Sequence, residues 1–453
     1  MKHIFREYDI RGIYASEITA QFTKALGYVL GKIMLSKNAK SVSVGYDARL
    51  SNNILHNALI YGLNKSKIKV YSLGLVPTPV GYFSTYKCNI DANIIISASH
   101  NPKEYNGFKI TINKESFFGD ELANIYNEVK AQMDNFDNKI EDVEYEFLDA
   151  KEEYLQFLQE EFKDLKNLNF NISCDLANGA ASYVAKEILN RLNIKNTCIL
   201  DEFDGEFKTH EPDPTEEENL QMLKTQMQKD NSSIAFAFDG DADRVVCLLK
   251  DKIIKGDELC YIFAKNMQNP KILCEVKCSK IIYDEINKLG ECKMCKTGHS
   301  NIKKAIKEHN FNLAAELSGH IFFNDIYFGY DDAIYAMLRI LRIYNKNPNF
   351  NELLDNLPKS FKSDEIKIKV DENNKFKLMQ DFINNINSLN LNASIILIDG
   401  VRINYDDGFI LLRASNTSPY LITRLEAKSK ERLKEFQIFL QKELKKLSLD
   451  LTF

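Results

Sequence analysis

One arrangement recurs three times before residue 320. A short apolar strand run leads through a polar loop into a helical pattern, and a final strand run then stops abruptly at small and polar residues. The first copy has strand runs at 42–46, 70–73 and 92–96 and a helix over 52–63; the second starts at 171–174 and its last strand ends at Asp239. The third starts at 271–276 and ends its last two strands at Lys296 and Ala315. Strands alternating with helices predict an α/β layer in each copy, with chemistry at the loops that follow the strands.

The rest of the chain sets the domain plan. Strand runs at 366–370, 393–398, 409–412 and 421–427, a polar loop over 413–419 and an amphipathic helix over 428–447 predict a smaller α+β domain. The expected boundaries are 1–146, 147–250, 251–358 and 359–453, giving three similar α/β domains with mixed sheets around a central cleft and a C-terminal α+β domain. Ahead of the first copy, apolar residues Ile18, Phe22, Leu26, Val29, Ile33 and Met34 keep a helical period after Ser16, with Glu17 in the first turn. The stretch 5–12 reads as a polar cluster outside any regular element.

Four loops carry the chemistry. Ser97-Ala98-Ser99-His100-Asn101-Pro102 holds a hydroxyl on a tight turn at the end of a buried strand, and a serine there needs a base, a metal or a stabilising charge to react. His100 as a base for Ser99 is less favoured than a structural role, because loop neighbours seldom face each other. Asp47 and Arg49 are expected to brace this first loop. Asp239-Gly240-Asp241-Ala242-Asp243-Arg244 follows another buried run, and its alternate spacing turns three carboxylates toward one point. Three hard oxygen ligands suit Mg²⁺, with Ser99 or a phosphate on it completing the shell. An EF-hand is excluded, since Arg244 stands where that loop needs Gly and Lys250 where it needs the bidentate Glu. Glu316-Leu317-Ser318-Gly319-His320 closes the third copy, and Arg413, Ser415, Asn416 and Thr417 make a set for gripping one phosphate.

Bulk properties narrow the partners. A net charge of −5 and the lack of a basic aromatic stripe give no pull toward nucleic acid. Neither a leader pattern nor a membrane-length apolar run is present, so a cytoplasmic location is expected. The nine cysteines suit reduced core thiols. Zinc on Cys274, Cys278, Cys292 and Cys295 is disfavoured because Cys292 and Cys295, three apart in a strand, would point to opposite faces.

These loops in this order resemble the α-D-phosphohexomutase superfamily, and within it the bacterial phosphomannomutase/phosphoglucomutase group. The similarity runs from Tyr8-Asp9-Ile10-Arg11-Gly12 to Arg413-Ala414-Ser415-Asn416-Thr417. The resemblance implies a phosphoserine at Ser99, Mg²⁺ held by its phosphate with Asp239, Asp241 and Asp243, and sugar contacts from Glu316 and Ser318. It also implies that the loop from Arg413 holds the phosphate that is not reacting. Tyr8, Arg11, Lys109, Arg244, Lys277, His299 and His320 match positions that line the family's cleft. The implied reaction interconverts mannose 6-phosphate and mannose 1-phosphate, and the glucose pair, through a hexose 1,6-bisphosphate that also serves as activator. Lys109 and His299 are the candidate general bases, a lysine base needing a pKa lowered by neighbouring cations. Ala315 and Leu317 depart from the Gly and Met usual in the dual-specificity sugar loop, and a phosphoglucosamine mutase is the alternative. A phosphatase and a non-catalytic sugar-phosphate binder are the rivals from other classes. Oligomeric state is not readable from the residues.

Overall fold

Strands Ser41–Tyr46, Lys69–Leu75 and Ala92–Ile96 form a parallel trio, and Tyr105–Ile112 pairs antiparallel to the last of them with Ile96 opposite Phe108. The second copy repeats the plan. Ile234–Phe238 lies parallel to Ile172–Asp175, which lies parallel to Asn196–Ile199, and Val245–Leu249 runs antiparallel to Ile234–Phe238. In both copies the polar loop joins the last parallel strand to the first antiparallel one, so Ser97–Pro102 and Asp239–Arg244 hold equivalent places. The structure is a computed structural model that describes residues 1–250, 252–416 and 418–453.

Two compact units result, residues Met1–Gly256 with Ser318–Phe350, and Asp257–Leu317 with Asn351–Phe453. In the first unit, Val42, Val44, Ile94, Ile96 and Phe108 pack under Leu26, Leu30, Leu55 and Leu59. Each such side chain contributes about 1.5–3 kcal/mol by leaving water. The helices carrying those leucines, Ala20–Ser36 and Asn52–Ser66, approach so closely that a Cβ at Gly62 would lie 2.0 Å from the Lys24 carbonyl oxygen.

The second unit repeats the parallel trio as Glu291–Cys295, Lys271–Glu275 and Leu313–Ala315, in that order. It adds an antiparallel sheet in which Gly408–Ala414 lies between Val401–Tyr405 and Tyr420–Ala427. Buried polar groups tie the two sheets. Arg402, stacked on Phe409 and 1% exposed, donates to the carbonyls of Val276 and Cys278, and Ser279 Oγ donates to Glu426 Oε1 at 2.8 Å.

Several local expectations are corrected. The first helix is capped by Thr19, whose side chain accepts from Phe22 N, rather than by Ser16. Glu17 turns back instead to accept from Ile13 N at 2.7 Å. Residues expected to lie outside regular structure include the strand Ile10–Ile13, which exists because Tyr105–Ile112 offers it an edge far along the chain. Arg413 belongs to the strand Gly408–Ala414 and not to the loop after it, and Thr417 lies outside the described residues. The strand Val401–Tyr405 and the helix Lys375–Asn387 had no expectation at all.

Candidate active site

Ser99 sits in the first unit with φ +50°, a left-handed conformation that a non-glycine residue keeps only when its surroundings enforce it. Arg49 does the enforcing. Its two terminal nitrogens donate to the carbonyls of Ser99 (2.8 Å), Asn101 (2.5 Å), Pro102 (2.7 Å) and Tyr105 (3.0 Å), and Nε reaches Asp47 Oδ2 at 3.3 Å. All five guanidinium donors are thereby used. Asp47 also accepts from Ser97 Oγ at 2.7 Å, and Ser97 Oγ accepts in turn from Ser99 N at 2.8 Å. His100 Nδ1 lies 3.2 Å from Ser99 Oγ, which corrects the expectation that these neighbours do not face each other. Burial first, then Arg244 and Arg11, hold the His100 imidazole well below its ordinary pKa.

The aspartate loop meets this serine directly. Ser99 Oγ donates to Asp239 Oδ2 at 2.6 Å, and a Cβ at Gly240 would lie 2.7 Å from the Ser99 carbonyl oxygen, so only a residue without a side chain permits the approach. Asp239 Oδ1 accepts from the backbone of Asp243 and Arg244, both at 3.1 Å. Asp241 Oδ2 accepts from Thr78 Oγ1 and from Lys109 Nζ, each at 2.6 Å, and Lys109 also pairs with Asp243. Burial, then Asp243 and Asp241, push the Asp239 carboxyl well up. Burial opposes the Lys109 charge, but Asp241 and Asp243 outweigh it and hold the ammonium above the usual lysine value. The expectation of a lysine base with a pKa lowered by cations is therefore not met: carboxylates are what touch it.

Carboxylate oxygens of Asp239, Asp241 and Asp243 lie within 4.8 Å of one another, and Asp241 Oδ1 and Asp243 Oδ1 are buried without a hydrogen-bond donor. Three fully buried carboxylates with acceptor atoms left over are a fit for a hard divalent cation. Beside them, Arg244 Nε donates to His320 Nε2 at 2.9 Å, and His320 Nδ1 lies 3.1 Å from Asp331 Oδ2. Accepting from Arg244 at Nε2 leaves the His320 proton on Nδ1, close to the carboxylates of Asp331 and Asp243, while Nε2 steadies the arginine. Arg11 donates to Asp9 Oδ2 at 2.5 Å and to Asn101 Oδ1 at 2.6 Å, and Tyr8 is buried. Ser318 is half-buried in the same unit.

The second unit brings a different set together. Lys277 Nζ lies 3.1 Å from Glu365 and 3.5 Å from Glu275, and after burial these two carboxylates hold it above the usual lysine value. Glu316 Oε1 accepts from Gly298 N at 2.6 Å, next to His299 at the start of the helix His299–Glu308. Arg413 Nε donates to Asp399 Oδ2 at 2.8 Å. Ser415 Oγ is 2.8 Å from Ser418 Oγ, and Asn416 is half-buried.

Family models for domains I, II and III of phosphoglucomutase/phosphomannomutase and for its C-terminal domain match residues 2–136, 152–252, 255–361 and 365–441. The chain belongs to the phosphoglucomutase/phosphomannomutase family. It is 35% identical over 455 residues to a phosphomannomutase/phosphoglucomutase of Pseudomonas syringae, covering 99% of this chain and 96% of the relative. A phosphoglucomutase of Neisseria gonorrhoeae is 34% identical over 442 residues, covering 96% and 95%. A crystal structure of a phosphoglucomutase/phosphomannomutase family protein from Burkholderia thailandensis superposes over 100% of both chains with a TM-score of 0.89 and 31% identity. As a member of this family the protein is an isomerase acting on hexose phosphates.

Within this phosphohexomutase frame, sequence reasoning missed Thr78, Asp331, Glu275 and Asp399. Thr78 opens the helix Thr78–Lys87, and the other three are single polar residues at a strand end or in a loop; none has a motif around it. A polar residue closing an apolar run, as Glu275 closes 271–275, is the one signal that was present. All nine cysteines are free, and none belongs to either cluster of potential metal ligands among the described residues. Cys292 faces Cys274 with sulfurs 3.6 Å apart, and Cys295 is buried too. Among the described residues no helix is long and apolar enough to cross a membrane.

Proposed function

We propose that this protein moves a phosphoryl group reversibly between C6 and C1 of mannose and glucose phosphates, through a phosphoserine at Ser99 and a hexose 1,6-bisphosphate. The observation that carries the proposal is the Ser99 hydroxyl donating to Asp239 within a buried carboxylate triad whose Asp241 Oδ1 lacks a donor. The phosphoryl group leaves Ser99 Oγ for the free sugar hydroxyl. The hydroxyl proton goes to a base and Ser99 Oγ takes up a proton as its O–P bond breaks; return of the other phosphoryl group of the bisphosphate to Ser99 Oγ, with the opposite proton movements, restores the phosphoserine. Asp239, Asp241 and Asp243 would hold Mg²⁺, which when bound polarises the phosphate on Ser99 and offsets its charge. The transition state of such a transfer is loose and anionic, so alignment and positive charge do most of the catalysis.

Arg244, steadied by His320, and Lys109 supply that charge. His299 is the proton acceptor in this reading, because the Lys109 ammonium is engaged by two carboxylates. Glu316, Ser318 and His320 contact the sugar. Lys277, Arg413, Ser415, Asn416 and Thr417 take the phosphate that is not reacting, and Tyr8 and Arg11 bind substrate. The substrates are small molecules, the setting is cytoplasmic, and hexose 1,6-bisphosphate reloads an unphosphorylated enzyme. Relatives named for mannose and glucose phosphates favour those sugars over the glucosamine alternative.

Intact and peptide mass before and after glucose 1,6-bisphosphate with Mg²⁺, followed by turnover of mannose, glucose and glucosamine 1-phosphates, tests this reading. A phosphate on Ser99, lost in Ser99→Ala together with turnover, is the expected result. A wild-type Ser99 that resists loading and turns over none of the three sugars would falsify it.

A further inference from the structure

Glu275 is fully buried at the end of the strand Lys271–Glu275, where an ionised carboxyl costs several kcal/mol unless its oxygens are satisfied. Its partners come from three directions. Thr297 Oγ1 donates to Oε2 at 2.6 Å, Leu317 N donates to Oε1 at 2.9 Å, and Lys277 Nζ stands 3.5 Å from Oε1. Thr297 also reaches the opposite way, its backbone N donating to Asp399 Oδ2 at 3.2 Å. That same Asp399 oxygen accepts from Arg413 Nε at 2.8 Å. One residue further, Gly298 N donates to Glu316 Oε1 at 2.6 Å. Thr297-Gly298 thus makes one bond to Glu316, one to the Glu275 that also accepts from Leu317, and one to the carboxylate that orients Arg413.

We infer that Thr297-Gly298 couples the sugar-contacting segment to the phosphate-gripping arginine, with Glu275 and Asp399 as positioning residues on either side. The inference rests on the proposed roles of Glu316 and Arg413. The physical ground is that a buried carboxylate accepting two or more bonds fixes each donor to its own position, so a shift at one end of the chain strains the other. Arg413 is held through Nε, which sets the plane of its guanidinium, and Glu316 is held through Oε1, which sets the direction of its second oxygen. The consequence is that phosphate and sugar hydroxyls are read as one object of fixed span. Monophosphates with the right separation between the two gain from both contacts together, whereas inorganic phosphate engages the arginine alone and a free sugar the glutamate alone.

The test uses Thr297→Val, which removes the hydroxyl link to Glu275 and leaves the backbone link to Asp399. With glucose 1-phosphate, KM is expected to rise about 10-fold with a smaller fall in kcat, the size of losing one bond to a buried charge. Glu316→Gln and Arg413→Lys are expected to be non-additive in the wild-type background and closer to additive in Thr297→Val, which keeps the backbone bonds to Glu316 and Asp399 but loses the one to Glu275. A merely structural role would lower stability and leave that cycle unchanged. Hydrogen exchange with inorganic phosphate as the probe gives a readout independent of turnover. Protection at 413–420 that extends to 297–298 and 316–317, and that retreats in Thr297→Val, is the expected pattern. Protection confined to 413–420, or a cycle equal in both backgrounds, overturns the coupling alone. No protection at 413–420 overturns the phosphate role of Arg413 and the coupling with it.

Discussion

The two units prepare charge in opposite ways. In the first, Asp239, Asp241, Asp243 and Asp331 are fully buried around Ser99, and two carboxylate oxygens of the triad lack a donor. In the second, the cations are already engaged, Lys277 with Glu275 and Glu365, and Arg413 with Asp399. A site that must hold a metal can leave acceptors waiting, since the arriving ion is small and strongly attracted. A site that must hold a sugar phosphate needs direction as well as charge, and direction comes from bonds made beforehand. On the proposed reading, the difference teaches that excess charge goes with metal binding and balanced charge with reading the shape of a sugar phosphate.

The largest effect should come from removing one of the waiting acceptors. Asp241→Asn is expected to lower kcat on the order of 10³-fold and to raise the Mg²⁺ concentration needed for half-activity, since metal stabilisation is worth several kcal/mol of barrier. A variant with wild-type kcat and an unchanged Mg²⁺ midpoint would erase the contrast between the units. Chelation should silence the wild type and added Mg²⁺ should restore it.

The next effect is on the serine loop itself. Arg49→Lys keeps the charge but cannot span four carbonyls and Asp47 at once. Urea unfolding should show a loss of about 3 kcal/mol, and phosphoryl loading of Ser99 should slow roughly 10²-fold because a small misplacement of a reacting group is costly. Slower loading at unchanged stability would sharpen the comparison, by showing that pre-made direction matters in the first unit also. Loading at the wild-type rate would break it.

The smallest effect concerns stability alone and lies away from both sites. His56 is buried with Nε2 2.9 Å from Ser72 Oγ, and burial lowers its pKa from 6.5 to about 4. The folded state therefore favours the neutral ring. Its contribution is fully present above pH 6.5 and is lost as pH falls through about 4, a span worth at most about 3 kcal/mol. Thermal unfolding of wild type and His56→Gln between pH 7 and pH 4 should show a shallower acid loss in the variant. Equal slopes would mean that the ring is not held neutral by its burial.

How much of this was legible can be judged residue by residue. Ser99 and the three aspartates stood out because each loop follows a buried apolar run, and a hydroxyl or a carboxylate there has no local partner to explain it. The strands Ala92–Ile96 and Ile234–Phe238 were legible for the same reason, since a run buried on both faces is continuously apolar, whereas Asn196–Ile199, half-buried and partly polar, carried no such signal. Thr19 was overlooked as a cap because Ser16 offered the same chemistry three residues earlier, and the choice was made when Glu17 turned back to Ile13. Arg413 looked like a loop residue because a buried arginine in a strand makes sense only once Asp399 is beside it.

The sequence by itself determined the repeated strand-loop-helix plan, the loops proposed to carry the chemistry and the family to which they belong, since these rest on short-range pattern and residue type. Tertiary structure alone decided which polar groups meet: Arg49 with four carbonyls of the serine loop, Lys109 with Asp241 and Asp243, His320 with Asp331, and Thr297 between Glu275 and Asp399. Those pairings join residues from eleven to more than a hundred positions apart. Hydrogen bonds and ion pairs act over a few ångströms in space and are indifferent to separation along the chain, so no local pattern can announce them.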